Sequence, residues 1–98
     1  MAKLSQRQLQ WLSSLSTQEA CKEIVREAIA GTQVDAKKVL RTIAPLPDLS
    51  NGSEVRTWLD WVLAQADLSM SADEIRALQD CCETVVALFE HAHGRKVN

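Results

Sequence analysis

The sequence predicts a single all-α domain, a compact bundle of four to five short helices spanning residues 1–98. Three observations carry that expectation. Apolar residues recur at helical spacing almost throughout. Glycine occurs three times and proline only twice, at Pro45 and Pro47. Strand signals are missing: there is no tyrosine, one phenylalanine and no alternating β-branched run. Ninety-eight residues suffice for one modest core without metals or disulfides and are too few for two domains.

The first helix is expected from about Ser5 to Leu15. Its apolar face is Leu4, Trp11, Leu12 and Leu15, with Gln8 among them and Leu9 on the flank. Ser16, followed three residues later by Glu19, reads as the capping box of a second helix. That helix runs to Ala30 and turns Ala20, Cys21, Ile24, Val25 and Ala28 inward. Gly31 stands where a left-handed residue is wanted at a helix end. On the outer face, the attraction is expected from cross pairs such as Glu23 with Arg26.

Asp35 caps a short third helix, Ala36 to Ala44, with Val39, Leu40 and Ile43 pointing inward. Pro45 ends it, because the residue before proline is pushed out of the helical region. The stretch from Pro45 to Gly52 is irregular, and its two leucines place it against the core. Ser53 is the expected cap of the fourth helix, Glu54 to about Asp67, whose face is Val55, Trp58, Leu59, Val62, Leu63 and Ala66. Leu68 and Met70 fall in the connection. Ser71 and Glu74 form a further capping box, opening a last helix that reaches about Ala92, before Gly94. Its main face is Ile75, Leu78, Cys82, Val85, Phe89 and Ala92. Cys81, Val86 and Leu88 widen it to about half the circumference, against roughly 100° for an ordinary surface helix. Such a helix is either the centre of the bundle or part of a dimer interface.

Composition narrows the functional classes. No apolar run approaches the roughly 18 residues needed to cross a membrane, and no signal core follows the N-terminus, so a cytoplasmic location without membrane partners is expected. Cys21, Cys81 and Cys82 are an odd set without framework spacing and read as reduced thiols. The net charge is −2, distributed unevenly: residues 1–49 carry seven Lys/Arg against five Asp/Glu, residues 50–98 four against eight.

Site chemistry is sparse. Cys81-Cys82 and His91-x-His93 invite a metal, but neighbours on a helix point about 100° apart and residues two apart about 200°. Neither pair grips one ion, and no metal or other cofactor is expected. A nucleophilic cysteine needs an activating base or a helix N-terminus; Cys21 lies in the first turns of its helix but on the apolar face. No Ser/His/Asp arrangement or phosphate-binding loop is present, so the chain is not expected to be an enzyme. Lys37, Lys38 and Arg41 share the outer face of the third helix, after a glycine-containing turn. That is the one local argument for a DNA-binding regulator, although three bases on a helix are commonly just a solvated face.

The leading expectation is a protein-interaction module, a small regulator, inhibitor or adaptor. It rests on Trp61, about 120° from the centre of its helix's apolar face, and on Leu9 and Leu88 at the edges of theirs. Together these suggest an apolar patch larger than the fold needs. A homodimer through the last helix is the further alternative.

Overall fold

The helices end where short-range hydrogen bonding tells them to. A computed structural model describes residues 5–66 and 70–93, which form five helices: α1 (Gln6–Ser13), α2 (Thr17–Ile29), α3 (Ala36–Ile43), α4 (Gly52–Gln65) and α5 (Ala72–Ala92). Each first turn has backbone N–H groups without helical partners, and a side chain just upstream accepts from one. The Ser16 hydroxyl accepts from the Glu19 N–H at 3.2 Å, and Asp35 from the Lys37 N–H at 3.0 Å. Ser5 with Gln8 and Ser71 with Glu74 close full reciprocal boxes. Gly31 follows α2 at φ +79°, the left-handed conformation expected there. The Arg26–Glu23 pair closes at 3.2 Å on the exposed face.

The cap of α4 differs from expectation. Asn51, not Ser53, occupies the position, and its Oδ1 accepts from both Ser53 and Glu54 N–H. One amide oxygen thus satisfies two orphan donors, which a serine two residues later does not do. Gly52 then opens the helix against α5: a Cβ there would lie 3.3 Å from the Phe89 ring.

The stop after α3 joins that helix to α4. Ala44 is extended, as a residue before proline should be, and the Ala44–Pro45 peptide is cis. The Ile43 carbonyl would ordinarily accept from the N–H four residues on, but residue 47 is proline and has none. The buried Trp58 indole N–H donates to it instead, at 2.8 Å. Leu46 is buried and Leu49 packs on the core from the same segment, so the irregular stretch lies against the bundle.

Helix α5 is the hub, packed against all four other helices, whereas α4 meets only α3 and α5. The wide apolar face of α5 serves neighbours on several sides. Ala77, Leu78, Cys81, Val85 and Leu88 are all essentially sealed from solvent. Among the described residues the core contains no buried polar or charged side chain.

Three helices are turned relative to their expected faces. In α1 the buried residues are Leu9 and Leu12, while Trp11 is 50% exposed. The expected face had Gln8 at its centre. Gln8 is instead the far half of the Ser5 capping box, its Oε1 accepting from the Ser5 N–H at 2.9 Å, which keeps it at the surface. The face therefore turns by about 90° toward Leu9. In α4, Val55, Trp58 and Val62 are buried but Leu63 is 51% exposed. With neighbours on α3 and α5 alone, α4 buries a narrow arc, and Leu63 and Trp61 fall on either side of it, each about 100° from its centre. In α5 the expected core positions Ile75 and Phe89 are only half-buried and Ala92 is exposed, while Ala77, Cys81 and Leu88 are sealed. The expected core residue Leu4, the helix end at Asp67, the connecting Leu68 and the stop at Gly94 lie outside the described residues.

Candidate functional site

Of the three expected interaction residues, the fold leaves only one at the surface. Leu9 is 9% exposed and Leu88 1%, both inside the core cluster. Their positions at the edges of helical faces reflect helices that touch more than one neighbour, so they do not join a surface patch. Trp61 is 43% exposed, although Trp58, three residues earlier, is buried. It borders a depression of about 490 Å³ whose lining includes Pro45, Leu46, Pro47, Thr57 and Trp58. The proline segment is held there from beneath by the buried Leu46 and by the Trp58–Ile43 hydrogen bond. The wall opposite Trp61 is accordingly built from residues with few rotamers.

The same proline segment borders a second, longer depression between α2 and α3. Its first part, about 560 Å³, includes Thr17, Cys21, Leu40, Ala44 and Leu46 in its lining. Its second part, about 260 Å³, includes Val25, Ile29, Ala36 and Lys37. Lys22 and Leu40 border both parts, which makes them one groove. The N-terminal half of α2 faces the C-terminal end of α3 and vice versa, so the two helices run antiparallel.

This groove was not among the expected sites, though its signal is present in the chain. Thr17, Cys21, Val25 and Ile29 stand four apart, as do Ala36, Leu40 and Ala44. Residues four apart form a continuous row along a helix, and alanine on both sides of Leu40 leaves that row notched. Only the pairing of α2 with α3, which is tertiary, tells that the two rows face each other.

The basic trio of α3 divides. Lys37 and Arg41 are exposed, whereas the Lys38 ammonium reaches across to Glu74 on α5, donating to its Oε1 at 3.3 Å. The same Glu74 oxygen accepts from the Ser71 N–H at 2.8 Å. That bond first, and Lys38 beside it, hold the Glu74 carboxyl below its usual range. One of the three cations is thus committed to joining α3 to α5.

The thiols are sealed. Burial pushes Cys21 up to about 11 and Cys82 to about 11. Cys81 rises to about 12, chiefly by burial and then through the negative charge that a Cys82 or Cys21 thiolate would place beside it. Each thiol therefore stays protonated near neutrality, the opposite of what a nucleophile or soft-metal ligand needs. Among the described residues no three His, Cys, Asp or Glu side chains are grouped as ligands for an ion, and no helix is long and apolar enough to cross a membrane. Comparison with protein-family models, with curated proteins and with solved structures finds no significant match.

Proposed function

We propose that this chain is a non-enzymatic protein-interaction module, a small regulator, inhibitor or adaptor that docks a partner on the surface formed by α2, α3, the proline segment and Trp61. The observation that carries the proposal is Trp61 itself. Nearly half of a large aromatic side chain is kept in water at the rim of a preformed apolar depression. Trp58, one turn away, shows that the helix has a buried place for an indole. Aromatic side chains set beside a pocket are the residues that most often dominate protein–protein binding energies, and a wall of prolines reduces the ordering cost of binding.

The raised thiols support the non-enzymatic part of the reading, since nucleophilic work near pH 7 calls for the reverse shift. The retention of Lys38 by Glu74 weighs against α3 as a phosphate-binding helix. The test is affinity capture with the tagged chain, wild type against Trp61→Ala and against the triple change Lys37→Ala/Lys38→Ala/Arg41→Ala. A protein partner lost with the tryptophan change is the expected outcome. Recovery that is nuclease-sensitive and lost with the triple change overturns the proposal in favour of a nucleic-acid binder.

A further inference from the structure

We infer that the groove between α2 and α3 takes an acidic, amphipathic helix of about three turns from another protein; this rests on the interaction reading above and names the partner's chemistry. The first argument is charge. Lys22, Arg26 and Lys37 stand along the groove, and no Asp or Glu is among the residues that line either part of it. Steps of 100° along α2 put Glu23 and Glu27 on the side away from the groove and Glu19 beside Lys22 one turn earlier, outside the lining. Glu23 draws in Arg26 alone. Among the described residues neither Lys22 nor Lys37 has an ion-pair partner, and Arg41 continues the row of Lys37 one turn on. A lining whose charged residues are all basic favours a partner of the opposite sign and disfavours one of its own.

The second argument is the floor. Cys21, Val25, Leu40 and Ala44 make it apolar, so the occupant must bring an apolar stripe; a phosphate backbone has none. The third is the backbone. The walls are helices whose interior N–H and C=O groups are already bonded within the helix, so the groove offers an extended peptide no strand partner. A segment laid there has to satisfy its own main chain, and a helix does so. The groove follows α2 from Thr17 to Ile29, the 13 residues of that helix, or about 20 Å at 1.5 Å per residue. Side chains spaced i, i+4 and i+7 on a three-turn helix match that length, with carboxylates on the flanks toward Lys22 and Lys37.

A displayed library of peptides of about 16 residues, long enough for three turns plus ends, panned on the full-length chain tests this directly. The expected enrichment is of sequences with apolar residues at helical spacing flanked by Asp or Glu. Enriched peptides, synthesised and measured by fluorescence anisotropy, should bind the double change Lys22→Glu/Lys37→Glu roughly tenfold or more weakly, with Trp61→Ala nearly unaffected. Panning the charge-reversed chain should in turn enrich Lys and Arg. No enrichment, enrichment without acidic bias, or affinities indifferent to the charge reversal overturn the inference. Peptides lost only with Trp61→Ala overturn it while leaving the interaction reading intact. Self-association that blocks the groove, or preferred binding of duplex DNA, overturns both.

Discussion

Two seams in this molecule are built from the same kinds of residue and end differently. Where α5 meets its neighbours, Leu78, Cys81, Val85 and Leu88 leave no gap, and solvent reaches almost none of them. Where α2 meets α3, Val39 and Ile43 are equally sealed beneath, but the outer row is Ala36, Leu40 and Ala44, and a groove stays open above it. The difference is volume. A row of leucine and valine fills the space between two helix axes; a row that alternates alanine with one leucine does not. The closed seam holds the fold, and the open seam is left with apolar surface and unpaired cations facing water.

Substitutions in each seam can break or sharpen that contrast. The largest effect is expected at Leu78, fully buried on the hub helix. Leu78→Ala should cost about 3 kcal/mol and lower the melting temperature by roughly 15 °C. A loss under about 1 kcal/mol in urea denaturation would mean that the α5 seam is less tightly filled than described. Leu40, half-buried in the open seam, gives the second. Leu40→Ala should cost only about 1 kcal/mol, because water already reaches one side of the leucine and no closed cavity is left. Equal losses at the two positions would erase the distinction between the seams.

The smallest effect concerns the polar link between them. Glu74 is held below its usual range by the Ser71 N–H and by Lys38. A depressed carboxyl stabilises the fold above its unfolded pKa, and that contribution fades as the pH falls through the lower, folded value. Urea midpoints followed from neutral pH into the acid range should therefore decline slightly more for wild type than for Glu74→Gln. Parallel declines would remove this ion pair from the account of how α3 is fastened to α5.

The contrast also explains what was legible in the chain. Helix starts at Ser16, Asp35 and Ser71 could be read directly, because a cap and the N–H it satisfies lie within three residues of each other. The start of α4 was misplaced because Asn51 and Ser53 compete locally, and the approach of Gly52 to Phe89 comes from packing on α5. Faces were legible in α2 and α3, whereas the face of α5 is shifted: Ala77, Cys81 and Leu88 are sealed while Ile75 and Phe89 are only half-buried, because neighbours pack on it from several sides. Helix α4 leaves Leu63 out because only α3 and α5 meet it. Helix α1 leaves Trp11 out because Gln8 is used at its cap. The same logic sorts the candidate site: Trp61 stood off its face in the sequence and stands off it in the fold, whereas Leu9 and Leu88 were absorbed by the core. The α2–α3 groove depends on two rows of residues that only tertiary pairing brings opposite each other.

Two of the three thiols give the molecule internal timers. Cys81 sits wholly inside the hub, and burial pushes its thiol well up, so it reacts little as thiolate near neutral pH. A bulky alkylating reagent must wait for α5 to part from its neighbours. Cys21, by contrast, lies at the floor of the open groove, where a smaller displacement of α2 from α3 brings it within reach. The two alkylation rates, read by mass from one sample, then time two events separately: the breathing of the groove and the opening of the whole bundle. A partner helix seated in the groove slows the first clock through direct cover, and slows the second only as far as its binding stabilises the fold.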